Sequence, residues 1–205
     1  FAVANIEQVI NTSRNIKEAK KASDEHLALI RSDLERIKLL VDRFMSFARP
    51  RQIQLASKNV VTILRSAINS IRLQAKDQMV DIIERYEDGI PEVMVEEEEL
   101  FRSFINLLTN SLEAMDQGGT ITVSCSLFPE DIIIRIADTG AGIPAGIQDK
   151  VFDIFFTTKE MGSGLGLSQV YRTIESIGGK ISLTSPINEG KGTEFSIHIP
   201  LMVKK

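Results

Sequence analysis

The chain has no tryptophan, one cysteine and two histidines among its 205 residues. A single thiol, Cys125, excludes an internal disulfide and any cysteine-rich zinc site. Two histidines, His26 and His198, leave little from which to build a histidine metal centre. Positive charge is not in excess: 24 Lys and Arg face 28 Asp and Glu, for a net charge of −4. The isoelectric point of about 5.4 therefore carries no basic field for nucleic acid. Apolar runs long enough to span a bilayer are absent. What remains is ordinary for a soluble globular protein, with 43% hydrophobic and 25% charged residues, and that excludes a disordered chain. The chain opens on Phe1 without a charged-then-apolar leader and reads as an internal, cytoplasmic fragment that lacks the full-length protein's own targeting signals.

The pattern changes near Pro50. From Asp24 to Phe47 the apolar positions run Leu27, Ile30, Leu34, Ile37, Val41 and Phe44, in alternating steps of three and four. That is the seam of a helix packed in a coiled coil or bundle. Ser23 or Asp24 would cap its start, and Pro50 ends it by turning Arg49 from helical geometry. Ile6, Ile10, Ser13 and Ile16 give a weaker stripe before it. Two antiparallel helices joined near Lys20–Ser23 make a hairpin too small to bury its own seam, so a dimeric four-helix bundle is expected.

Beyond residue 51 the periodicity is mixed. Strands are expected near residues 52–56, 79–86, 92–95, 120–127, 132–137, 180–184 and 194–200. Helices are expected with Val60, Leu64, Ala67, Ile68 and Ile71 inward, over about 97–115, and over about 167–177. Helices gathered against a mostly antiparallel sheet make a two-layer α/β sandwich, and the chain as a whole is α+β. The expected domains are a helical hairpin over 1–51 and a sandwich over 52–205.

Four stretches point to one nucleotide site. Asp138 closes an apolar strand and is followed by Thr139, Gly140, Ala141, Gly142 and Ile143. A carboxylate there accepts from an exocyclic amine, and glycines let the backbone approach a flat base. Gly162, Ser163, Gly164, Leu165 and Gly166 lead into a helix, where free amides suit phosphate. Asn106 and Asn110 stand four apart on one helix face, and an Asn carbonyl is a hard-oxygen ligand suited to Mg²⁺. Gly190, Lys191, Gly192 and Thr193 precede the last strand, where a plain hairpin turn is the alternative.

The order and spacing of these stretches resemble the catalytic domain of sensor histidine kinases, in the ATPase superfamily shared with DNA gyrase, MutL and the large heat-shock chaperone. Asn106–Asn110 resembles the N box, Asp138–Gly142 the G1 box, Gly162–Gly166 the G2 box, and Phe152–Lys159 the F box. Leu40–Pro50 is similar to the end of the second dimerisation helix. The resemblance implies the Bergerat ATP-binding fold with a mixed sheet, and the cofactors ATP and Mg²⁺. It implies that Asp138 binds the adenine amine, with Gly140, Gly142 and Ile143 beside the base. Asn110 would hold Mg²⁺ and Asn106 would support it. Lys159 would meet the terminal phosphates. Thr158, Gly162, Gly164, Leu165, Gly166 and Thr193 would complete the nucleotide site. Residues 145–163 would form a mobile lid, with Phe152, Phe155 and Phe156 either anchoring it or filling core.

The relatives that hydrolyse ATP carry a glutamate at the position of Asn106, and an amide cannot act as a general base. That favours transfer to a protein acceptor, where positioning and electrostatics carry the catalysis. Glu113, one turn after Asn110, falls on the wrong side by this analogy. The implied reaction is Mg²⁺-ATP-dependent phosphorylation of a histidine, then of an aspartate in a response-regulator receiver domain. The implied partners are a second copy of the chain and an upstream sensor domain. The acceptor box departs from the family: Phe1 and Ala2 fit, but Val3 stands where the histidine belongs. The acceptor is then replaced at Val3, lies upstream of Phe1, or is His26. A dehydrogenase-kinase-like protein kinase and a non-catalytic nucleotide-binding dimeric module stay open as alternatives.

Overall fold

A computed structural model describes Leu27, Leu34 and residues 54–159, 162–187 and 190–201. The chain divides into two compact units, Phe1–Arg49 and Pro50–Lys205. In the first unit Leu27 and Leu34 are helical and exposed. The expected hairpin, its dimer seam, and the acceptor candidates Val3 and His26 otherwise lie outside the described residues.

The second unit opens with strand β1 (Ala56–Lys58) and helix α1 (Val60–Asp77). Strand formation was expected four residues earlier. The observed strand is set by antiparallel pairing with β3 (Val93–Val95), in register Ala56 to Val95 and Lys58 to Val93. It runs directly into Asn59, whose Oδ1 accepts from the amides of Val61 at 2.9 Å and Thr62 at 3.2 Å. That side chain closes the free amides at the start of α1. Helix α1 then buries Val60, Ile63, Leu64, Ala67, Ile68, Ile71 and Ala75, spaced three and four apart.

Helix α2 (Glu97–Glu113) follows β2 (Val80–Tyr86) and β3. Three glutamates fill its first turn, where carboxylates suit the positive end of the helix dipole. Strands β4 (Gly119–Leu127) and β5 (Asp131–Asp138) form an antiparallel pair, and helix α3 (Gly166–Ser176), β6 (Lys180–Thr184) and β7 (Thr193–Pro200) complete the unit. A short 3₁₀ helix (Ala145–Lys150) lies between β5 and α3.

The main sheet has the order β2-β4-β5-β7-β6. Only β2 and β4 run parallel; the other pairs are antiparallel, so the sheet is mixed. Alternate residues of β4, β5 and β7, such as Ile121, Val123, Ile134, Ile136, Phe195 and Ile197, join the buried faces of all three helices in one core. Each large side chain fully buried there contributes about 1.5–3 kcal/mol. Cys125 belongs to this core, and burial pushes its thiol up to about 12. His198 points outward from β7, 3.7 Å from the carboxylate of Asp131. Among the described residues no helix is long and apolar enough to cross a membrane.

Candidate functional site

Asp138 is the last residue of strand β5 and lies opposite Thr193, the first residue of β7. The side chain is 3% exposed, and its Oδ1 accepts from the amides of Gly140 at 2.9 Å and Thr193 at 3.3 Å. Burial raises the carboxyl above the usual aspartate range. The Gly140 amide, the Ser111 hydroxyl and the Thr193 amide oppose that rise. The Ser111 hydroxyl itself is buried and forms no hydrogen bond of good geometry.

The loop after Asp138 is held from two sides. A Cβ on Gly140 would sit 2.6 Å from the carbonyl oxygen of Ala114, so only glycine lets the loop lie against the end of α2. The Gly192 amide donates to the Gly140 carbonyl at 2.8 Å. The Ile143 amide donates to Ser185 Oγ at 2.7 Å, and Ser185 Oγ donates to the Gly192 carbonyl at 2.9 Å. Gln148 Nε2 donates to the carbonyls of Ile143 and Ser185, at 2.7 and 2.6 Å. The segment before β7 is thus more than a hairpin turn, because it clamps the loop that carries Gly140, Gly142 and Ile143.

Asn106 and Asn110 lie on α2, both half-buried. Asn106 faces the start of α3: a Cβ on Gly166 would stand 3.6 Å from its Oδ1. Asn110 Oδ1 accepts from Lys159 Nζ at 3.1 Å, and the same ammonium pairs with Glu113. Glu113 therefore stands beside Asn110 through a shared contact with Lys159. The Asn110 carbonyl is already aimed at a cation.

The Phe152–Lys159 segment divides its aromatic rings between two roles. Phe152 packs on the core, with its ring centroid 5.7 Å from that of Tyr171 and 6.4 Å from that of Phe195. Phe155 is exposed and has φ of 68°, and its amide donates to the Gly164 carbonyl at 2.9 Å. Gly164 itself has φ of 65°, and a Cβ there would lie 2.3 Å from the Phe155 carbonyl carbon. Thr158 is exposed, and Gly162 donates its amide to the Lys159 carbonyl at 3.1 Å. Leu165 is buried at the foot of α3.

Sequence reasoning missed Ser111, Ser185, Gln148 and the contact of Gln169 Nε2 with Glu99 Oε2 at 2.9 Å. The last joins α2 to α3 at a buried carboxylate. Ser111 carried one legible signal, a hydroxyl on the apolar stripe of α2 between Leu108 and Leu112.

Comparison with known proteins follows this geometry. The family described as histidine kinase-, DNA gyrase B- and HSP90-like ATPase matches residues 95–203, more than half of the chain. Sporulation kinase E of Bacillus subtilis (strain 168) is 36% identical over 174 residues, which cover 84% of this chain and 23% of that protein. Sensor histidine kinase ZraS of Escherichia coli (strain K12) is 28% identical over 173 residues, 84% of this chain and 37% of that protein. The chain thus spans well under half the length of either relative. Among solved structures, the catalytic domain of histidine kinase ThkA has a TM-score of 0.67 at 25% identity, covering 73% of this chain and 99% of that one. Full-length ShkA in complex with AMPPNP has a TM-score of 0.73 at 22% identity, covering 88% of this chain and 39% of that one. ThkA in complex with response regulator TrrA has a TM-score of 0.71 at 24% identity, covering 86% of this chain and 51% of that one. The buried aspartate, the paired asparagines and the matched span agree: the chain belongs to the histidine kinase-, DNA gyrase B- and HSP90-like ATPase family, with a catalytic domain of the sensor histidine kinase kind.

Proposed function

We propose that the chain is the kinase core of a sensor histidine kinase. It binds Mg²⁺-ATP and passes the γ-phosphoryl group to a histidine, from which an aspartate of a response-regulator receiver domain takes it. In this reading the core is cytoplasmic, dimerises through its N-terminal helices and answers to an upstream sensor domain. The observation that carries the reading is Asp138. Its carboxylate is buried, and both amide hydrogen bonds fall on Oδ1 beside a glycine that admits no side chain. Oδ2 is left for a donor, and the exocyclic amine of adenine supplies one. A base lying there has Gly140, Gly142, Ile143 and Thr193 along its edge.

The other residues follow from Asp138. Asn110 Oδ1 accepts a cationic ammonium, so it fits a hard divalent ion. Among the described residues no cluster of three or more His, Cys, Asp or Glu could hold a metal by itself. An ion at Asn110 would therefore need phosphate oxygens as further ligands. When bound, Mg²⁺ neutralises charge on the phosphates. Asn106 supports this end of α2 and cannot activate water, which suits a protein acceptor. Lys159 moves from Asn110 and Glu113 to the terminal phosphates as a point charge. Thr158, Gly162, Gly164, Leu165 and Gly166 enclose the phosphate chain in front of α3.

Calorimetry with AMPPNP, with and without Mg²⁺, tests the assignment. Binding is expected to require Mg²⁺. Asp138→Asn should weaken it about ten- to a hundredfold, from the roughly 1.5–3 kcal/mol of a hydrogen bond to a charged group. Unchanged affinity in that variant would remove Asp138 from the adenine site.

A further inference from the structure

Helix α3 begins at Gly166, and Leu165 at its N-cap has no side-chain oxygen to accept from the free amides of the first turn. Where those amides point is therefore set by how α3 lies on α2. The buried hydroxyls of Ser103 and Ser168 do not fix one helix against the other. They donate locally, to the Glu99 carbonyl at 2.8 Å and the Leu165 carbonyl at 3.1 Å. A side-chain hydrogen bond that does cross runs from Gln169 Nε2 of α3 to Glu99 Oε2 of α2, at 2.9 Å. Glu99 is 8% exposed, and carboxylates are seldom buried unless paired. Arg102, one turn along α2, stands 3.6 Å from the other oxygen. The carboxylate is thus held on Oε1 by its own helix and bound on Oε2 by α3.

This contact has leverage over the start of α3. Gly166 faces Asn106, since a Cβ on it would stand 3.6 Å from Asn106 Oδ1. Gln169 follows Gly166 by three residues, and Glu99 precedes Asn106 by seven, about two turns of α2. Helix α3 therefore meets α2 at two separated places, which fix its inclination where one place would let it pivot. We propose that Gln169 is a positioning residue for the phosphate end of the nucleotide site: held by Glu99, it sets the inclination of α3 and so aims the free amides of its first turn at phosphate. The inference rests on the reading that these amides meet the phosphates of ATP. Asp138 takes its hydrogen bonds from Gly140 and Thr193, on other elements, so the base end of the site is unaffected.

The test compares AMPPNP with adenosine, which carries no phosphate, by calorimetry with Mg²⁺, adenosine being measured by displacement of AMPPNP. The proteins are the wild type, Gln169→Met, Glu99→Gln, and Glu99→Met combined with Gln169→Met. Methionine matches glutamine in length and lacks the donor, whereas Glu99→Gln keeps an acceptor. Gln169→Met should lose about three- to tenfold in AMPPNP affinity, with adenosine unchanged within about twofold. Glu99→Gln should stay within about twofold of the wild type for both ligands. The double variant should lose no more than Gln169→Met alone, because both changes break the same bond. Equal losses for AMPPNP and adenosine, or a lower melting temperature with the affinity ratio unchanged, would overturn the proposal and leave the pair as packing. A wild type that prefers AMPPNP to adenosine, with that preference intact in Gln169→Met, removes only the role of Gln169. A wild type without that preference removes the phosphate reading of α3, and the proposal falls with it.

Discussion

Asp138 keeps a carboxylate where burial disfavours charge, and two backbone amides compensate in part. Its pKa is raised in the fold, so folding favours the protonated form. The stability this group contributes is complete below the ordinary aspartate range and is lost as pH rises through the raised value. Asn at this position keeps an acceptor for both amides and removes the buried charge. Asp138→Asn should therefore melt at a higher temperature than the wild type at pH 7 while binding adenine nucleotide less well. Scanning calorimetry checks this, and a lower melting temperature at pH 7 would contradict the account. Wild-type AMPPNP affinity should also fall on acidification at a pH above that of an ordinary aspartate, as Oδ2 gains a proton and stops accepting. Affinity that holds down to the ordinary range would show that burial does not control the carboxyl.

Elements of this unit were legible where the signal was local. The stripe of α1, the glutamates opening α2, and the aspartate and glycines after β5 are each read within a few residues. The site partners that stayed hidden depend on distant chain. Ser185 acts through Ile143 and Gly192, and Glu99 finds Gln169 70 positions away. No window of sequence holds both ends of such a contact. Strand β1 was misplaced for the same reason, since its register comes from β3 rather than from its own residues. The turn before α3 is set differently, by the pairing of Phe155 with Gly164, both at positive φ. Gly164→Ala puts a methyl group into the Phe155 backbone and should loosen AMPPNP binding by about tenfold or more, with cooperative unfolding retained. Parallel calorimetry and denaturation measure both, and full affinity in the variant would show that this turn does not shape the site.

The whole molecule carries two commitments. The first is the proposed association of two copies: Leu27 and Leu34 are 50% and 59% exposed, both helical, and one heptad apart. Leucines at that spacing suit a partner helix. Leu34→Glu with Ile37→Glu should turn a dimer into a monomer by light scattering, with AMPPNP binding intact. A wild-type monomer at high concentration would contradict the bundle. The second commitment concerns how the candidate site is assembled. Lys159 meets Asn110 across 49 positions, and the Thr193 amide meets Asp138 across 55. Strand β2 pairs in parallel with β4, and that pairing encloses the whole of α2 in a loop of the chain. Contacts of such separation must overcome loop-closure entropy before they reward it, and they form slowly. Contacts of that separation are expected to complete the candidate site late in folding. A nascent or half-degraded chain lacking either β7 or α2 is then expected to hold no nucleotide, because the proposed site draws on both.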